Sequence, residues 1–150
     1  MDGRHLILVE LDDWITGVRV KDTHDERYRQ KIARLLIGCK GYLRSDIEPR
    51  KSLLILAGDK RALIKIDFLI NLSGRTYMII KYGPGSLVTR HRPVLAASRL
   101  VAPYQIPVAV VTNGEDAEVL EGSSAKVRSR GLESIPSKSQ LMEIAAGCSF

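Results

Sequence analysis

Asp67 stands inside the run Ala62-Leu63-Ile64-Lys65-Ile66-Asp67-Phe68-Leu69-Ile70. A carboxylate in the middle of an apolar, β-branched run is disfavoured in a strand, so something must compensate it. Two readings stand side by side: an exposed edge or an ion pair with Lys65 or Lys81, and a metal ligand. Alternation places Ile64, Ile66, Phe68 and Ile70 on one face, toward a core, and Leu63, Lys65, Asp67 and Leu69 on the other. In the following run, Thr76-Tyr77-Met78-Ile79-Ile80-Lys81-Tyr82, the residues Tyr77, Ile79 and Lys81 share a face. If the two strands are neighbours, Asp67 and Lys81 meet near the end of their hairpin. A carboxylate that holds Mg2+ beside a lysine that steadies a nucleophilic water or a scissile phosphate is a phosphodiesterase arrangement. An Asp and a Lys on adjacent strands are more often a plain ion pair.

A second cluster, Arg90-His91-Arg92, falls near the start of a helix, with Lys81 upstream and Arg99 two turns on. A helix N-terminus attracts anions, so a phosphate contact is the functional reading and a solvated basic turn the plain one. Lys126, Arg128, Arg130 and Lys138 form a further basic set, read as a solvated loop. The formal net charge of +6 suits a nucleic-acid partner without proving one. Aromatic residues are few and not interleaved with these charges, which argues against a stacking platform for single strands. Cys39 and Cys148 read as reduced thiols, and His5, His24 and His91 are scattered, so no zinc site is written here. No apolar run approaches the roughly 18 residues of a membrane span. Leu6–Val9 is too short for a signal-peptide core, which makes the cytoplasm the default location.

The elements that must position these residues are legible from periodicity. Thr23 followed by Glu26 has the form of a capping box, and Tyr28, Ile32, Leu35 and Leu36 continue it as an amphipathic helix to about Cys39. Three strand-like runs at 52–56, 62–70 and 76–82 are separated by short turns, as in antiparallel hairpins. After Gly83-Pro84-Gly85 a helix is expected over 89–102, with Pro93 in its first turn. Strands at 106–112 and 117–120 follow, joined by the turn Asn113-Gly114-Glu115-Asp116. Residues 122–136 read as a surface loop, and Ser137 with Gln140 can cap a short last helix to about Ala146. The expected fold is α/β: a helix, a three-strand meander, a helix and two strands, forming one mixed sheet flanked by helices. The 150 residues make a single domain, with a core at about 23–120, an N-terminal arm at 1–22 and a C-terminal loop and short helix at 121–150.

The run Asp25-Glu26-Arg27-Tyr28-Arg29-Gln30-Lys31-Ile32-Ala33-Arg34-Leu35-Leu36, then Lys40-Gly41-Tyr42, resembles the opening helix of the N-terminal nuclease domain of type I restriction enzyme R subunits. The resemblance continues through Lys65–Ile70, Met78–Lys81 and Gly83–Gly85 and ends at Pro107–Gly114, spanning about residues 23–120. It implies a restriction-endonuclease-like PD-(D/E)XK fold acting on double-stranded DNA with Mg2+. On this resemblance Asp67 matches the metal-binding Asp, Lys81 the lysine of the Glu-x-Lys element, and Glu26 an acidic residue of the first helix. It also implies a homodimer or a larger restriction-type complex.

The chain departs from that pattern at one place. Two residues before the lysine, where the family carries its second metal-binding Glu, stands Ile79. Aligning Pro84 instead puts Ile80 and Tyr82 at the Glu and Lys positions. A migrated carboxylate would have to be Glu26, Asp46 or Glu48, so the expected metal set is Asp67 with Glu26 or Glu48. Glu26 is also explained by capping, and Asp46 and Glu48 by a solvated loop. Two functions follow: a Mg2+-dependent endonuclease using Asp67, Lys81 and Glu26, or a catalytically inactive member that binds nucleic acid or protein. The chain has no Gly-x-x-x-x-Gly-Lys-Ser/Thr element, so ATP-driven translocation is expected to come from elsewhere.

Overall fold

The computed structural model describes residues 10–148. Residues 1–9 of the expected N-terminal arm at 1–22 lie outside them. A two-stranded ribbon, β1 (Glu10–Asp12) with β2 (Arg19–Lys21), precedes α1 (His24–Gly38). A six-stranded mixed sheet follows in the order β3-β4-β5-β6-β7-β8, made of β3 (Ile47–Ala57), β4 (Lys60–Leu72), β5 (Arg75–Tyr82), β6 (Val108–Thr112), β7 (Ala117–Glu121) and β8 (Val127–Arg130). All neighbours run antiparallel except β5 and β6. A parallel pair needs a crossover, and α2 (His91–Leu100) supplies it. The last helix is α3 (Lys138–Ala146). No helix among the described residues is long and apolar enough to cross a membrane.

The central strands of the sheet are buried on both faces, while the far end of the β3–β4 hairpin leaves Leu54, Leu56 and Leu63 exposed. On one face, Ile32, Ala33 and Leu36 of α1 and Leu141 of α3 pack with Phe68, Ile70, Met78, Ile80, Val108 and Val110. On the other, Val94 and Ala97 of α2 pack with Ile64, Ile66, Leu69, Ile79, Ala109 and Val111. Strands covered on both sides read as continuous apolar runs, which is the pattern of β6. At its start, α1 is capped by Thr23, whose hydroxyl accepts from the Glu26 amide at 3.0 Å. The expected box is only half made, because the Glu26 side chain turns inward to Gln30 and Arg50. Ser137 and Gln140 do form a complete capping box on α3. The Asn113 side chain closes the β6–β7 turn by accepting from the amides of Glu115 and Asp116. Gly114 in that turn lies so close to the Tyr28 ring that a Cβ would collide with it.

Three sequence expectations are corrected. The loop expected over 122–136 contains β8, which forms the sheet edge beside β7. Its residues are only half-covered and carry alternate charges, so no apolar period marks it. The helix expected over 89–102 is a 3-10 turn at Val88–Arg90 followed by α2. The third correction concerns alternation along β4. Ile64 and Ile66 pack under α2, but Phe68 and Ile70 pack under α1, so the face changes at Asp67. The cause lies across the hairpin. Arg50 of β3 has φ +57°, and the β3–β4 pairing passes from Pro49↔Phe68 to Lys51↔Ile66 without including it. One irregular residue on each strand preserves register while switching the faces.

Ile79 is fully buried, in the cluster beneath α2 and not beneath the first helix. Ile79→Val should cost roughly 0.5–1.5 kcal/mol, whereas Ile79→Glu should cost on the order of 4 kcal/mol or more at neutral pH. Burial raises the pKa of the new carboxyl, so its penalty should shrink on acidification. Urea unfolding of both variants at pH 8 and pH 5 checks this; a Glu variant as stable as the Val variant would mean that this face is not core.

Candidate functional site

The ladder between β4 and β5 ends at Phe68↔Ile80. Beyond that pair β4 continues along β3, while Lys81 and Tyr82 of β5 continue along β6. The sheet therefore opens into a fork, and Asp67 is the first residue past its apex. Its Oδ2 accepts from the Tyr82 amide at 2.6 Å, inside the fork. Its Oδ1 accepts from Arg29 Nε at 2.7 Å.

Arg29 comes from α1, one turn beyond Glu26, and its Nη1 lies 3.6 Å from Glu26 Oε1. Glu26 Oε2 accepts from Gln30 Nε2 at 2.8 Å and from Arg50 Nη2 at 2.9 Å. Arg50 Nη1 in turn reaches Asp13 Oδ2 at 2.7 Å. The result is a chain of alternating charge: Asp67, Arg29, Glu26, Arg50, Asp13. All three carboxylates are buried. The kink at Arg50 is what aims its side chain at Glu26 and Asp13. Tyr82 roofs the group, with its ring stacked on Tyr28, the Arg29 guanidinium 5.4 Å from its centroid, and its hydroxyl donating to Asp25 at 3.0 Å. Burial and that bond to Asp25 push the Tyr82 pKa up to about 12.

Of the residues singled out in the sequence, Asp67 and Glu26 are brought together through Arg29. Lys81 lies at the same fork, but its Nζ donates to the Lys65 carbonyl at 2.7 Å. Burial lowers its pKa, and neighbouring Arg90, Arg29 and Lys65 add to this against the pull of Asp67. Glu48 stays outside the charge chain, paired with Lys51 at 3.2 Å. Asp46 pairs with Lys138 at 2.9 Å and accepts from the Leu43 amide. The Arg90-His91-Arg92 cluster does not act as a unit. Arg90 lies over Gly83 and donates to the Ser86 carbonyl, while His91 bonds Glu118, which also holds Arg130. Arg92 alone is exposed.

Arg29, Arg50 and Asp13 were not singled out from the sequence. Arg29 had a signal, since it shares a helix face with Glu26 at i,i+3. Arg50 and Asp13 had none, because their roles depend on a backbone kink and on a ribbon that docks from another part of the chain.

Mg2+ takes oxygen ligands in a near-octahedral shell and is usually held by one or two carboxylates with waters and phosphates. Here Asp67 has a cationic donor on one oxygen and an amide on the other, and Glu26 has cations near both oxygens. Among the described residues, no group of three or more His, Cys, Asp or Glu side chains is placed to hold a metal ion. In this arrangement the residues do not fit the ion.

The family model for the type I restriction enzyme R protein N terminus (HSDR_N) matches residues 24–136, from the first helical residue to the end of the connection after β8. The chain belongs to that family. No curated protein and no solved structure matches it.

Removing Arg29 leaves two buried carboxylates short of a cation. A fully buried broken pair costs roughly 3–5 kcal/mol, and Arg29→Met should fall near the low end or below, since its side chain keeps 30 % of its exposure. Adding Asp67→Asn should recover part of the loss. A double-mutant cycle by urea unfolding measures the coupling; strict additivity would mean that the two groups do not depend on each other.

Proposed function

We propose that this chain is a PD-(D/E)XK-fold domain that associates with double-stranded DNA and does not cut it. The observation carrying this reading is that Arg29 and Arg50 tie together the carboxylates that a catalytic metal would need. A guanidinium is a permanent cation with fixed donors. It satisfies the negative charge but has no open coordination position and cannot ionise a bound water. Ile79 supports the same reading, because the position two before Lys81 is apolar and buried under α2. Fold alone does not fix function, and a scaffold can persist after its chemistry is lost.

DNA association is supported by family membership and by the excess of basic residues. Exposed cations lie on the β3–β4 hairpin, at Lys60, Arg61 and Lys65, and on α2, at Arg92 and Arg99. Arg92 and Arg99 are seven residues apart and share one helix face. In a larger restriction-type complex, cleavage and translocation would fall to other parts of the assembly.

Duplex binding measured across salt should give a linear dependence of log K on log salt, with Arg92→Ala plus Arg99→Ala lowering the slope by about two units. In the same preparation, supercoiled plasmid with Mg2+ should stay intact. Nicking that disappears in Asp67→Asn would establish the Mg2+-dependent endonuclease in place of this reading, and a salt-independent affinity would remove the electrostatic account of DNA binding.

A further inference from the structure

The fork does more than neutralise its acids. Beside Asp67 the structure has a cavity of about 270 Å3, lined by Arg29, Arg50, Lys51, Ser52, Lys65, Ile66 and Asp67. Four of these side chains are cationic and one is anionic. The anion is fully engaged, since both Asp67 oxygens already accept hydrogen bonds. Lys51 is paired with Glu48 at 3.2 Å, but among the described residues Arg29 and Arg50 keep donors to spare. Arg29 uses Nε and Nη1 on Asp67 and Glu26, which leaves Nη2. Arg50 uses Nη1 and Nη2 on Asp13 and Glu26, which leaves Nε. Ser52 and Lys65 are directly opposite each other across the β3–β4 ladder, so both side chains leave the same face and line the cavity. Lys81 adds further positive charge, its Nζ bonded to the Lys65 carbonyl.

We infer that this cavity is a metal-independent site for a phosphate monoester or free phosphate, held by Arg29, Arg50, Ser52 and Lys65. A tetrahedral dianion offers three or four acceptor oxygens in different directions, matching donors that converge from a helix and from both strands of a hairpin. Guanidinium and ammonium groups make the strongest hydrogen bonds to such oxygens. A phosphodiester offers one charge and two free oxygens, and its chain must leave on both sides. Asp67 and Glu26 position the donors: Asp67 fixes Arg29 and Glu26 fixes Arg50, so their remaining N–H groups are oriented before the ligand arrives. The carboxylates keep their place in the fork and serve the binding of an anion instead of a cation.

Two sources share this chemistry, a free phosphate or nucleotide and the 5′-phosphorylated end of a DNA duplex. The second source rests on the DNA-associated reading above; the cavity itself does not.

The test is titration of the full chain with sodium phosphate in EDTA, followed by calorimetry. Wild type should bind one phosphate saturably. Lys65→Ala, an exposed change that leaves the buried charge chain intact, should weaken binding about tenfold, as expected for loss of one charge-assisted hydrogen bond. Lys126→Ala should bind as wild type. Competition then separates the sources. A short duplex with 5′-phosphates that displaces phosphate, where the same duplex without them does not, assigns the DNA end. Phosphate binding that neither duplex disturbs assigns a free phosphate or nucleotide; it leaves the site standing, and the salt-dependent duplex binding then decides the DNA reading separately. Equal displacement by both duplexes would overturn monoester recognition in favour of the continuous backbone. Absence of saturable phosphate binding, or wild-type affinity in Lys65→Ala, would overturn the site.

Discussion

A carboxylate at the apex of a splayed pair of strands is too buried to be left to water and too charged to be left alone. Asp67 is in that position, and the bond from Arg29 Nε at 2.7 Å is what makes it tolerable. The same guanidinium approaches Glu26, and Glu26 receives Arg50, which holds Asp13. Through this one chain α1 is fixed over the fork, β3 is kinked at Arg50, and the loop following β1 is fastened to both. Burying such a network is not in itself a source of stability, because desolvation offsets much of the attraction. What it supplies is specificity of arrangement: each member can be satisfied only when the helix, hairpin and ribbon are all in place.

That dependence explains which parts of the structure were legible in the sequence. The strands around 62–70, 76–82 and 106–112 were readable because strands that are largely buried carry near-continuous apolar residues bounded by turns; the run at 52–56 was readable from the same apolar pattern, although Leu54 and Leu56 stay exposed. The helix after Thr23 was readable from its cap and its apolar stripe at Ile32 and Leu36. The face change in β4 was not, because it needs a left-handed residue at Arg50, and an arginine gives no sign of that conformation. Strand β8 was hidden by polarity: at the sheet edge Arg128 and Arg130 point outward, and only Val127 hints at a strand.

The site was legible in two of its three acids and illegible in Asp13 and in its bases. Asp67 stood out as a charge in an apolar run and Glu26 as a cap, and the structure brings both to one place. Their partners were obscured by abundance, since an arginine on an amphipathic helix is ordinarily solvated. The Asp67–Lys81 proximity inferred from alternation resolves into two separate bonds, Asp67 to Arg29 and Lys81 to the Lys65 carbonyl. A pattern of residue types can locate a fork in a sheet. It cannot say whether the charge filling that fork is a metal ion or a guanidinium.

The account turns on that last distinction. Free aqueous Mn2+ gives a six-line electron paramagnetic resonance signal that is lost on binding, so titrating the purified chain with Mn2+ tests it directly. The account predicts a signal that tracks total Mn2+ with no stoichiometric loss, in wild type and in Asp67→Asn alike. Loss of one equivalent of signal in wild type, restored in Asp67→Asn, would mean that Arg29 yields its place to a metal and that the fork is a cation site after all.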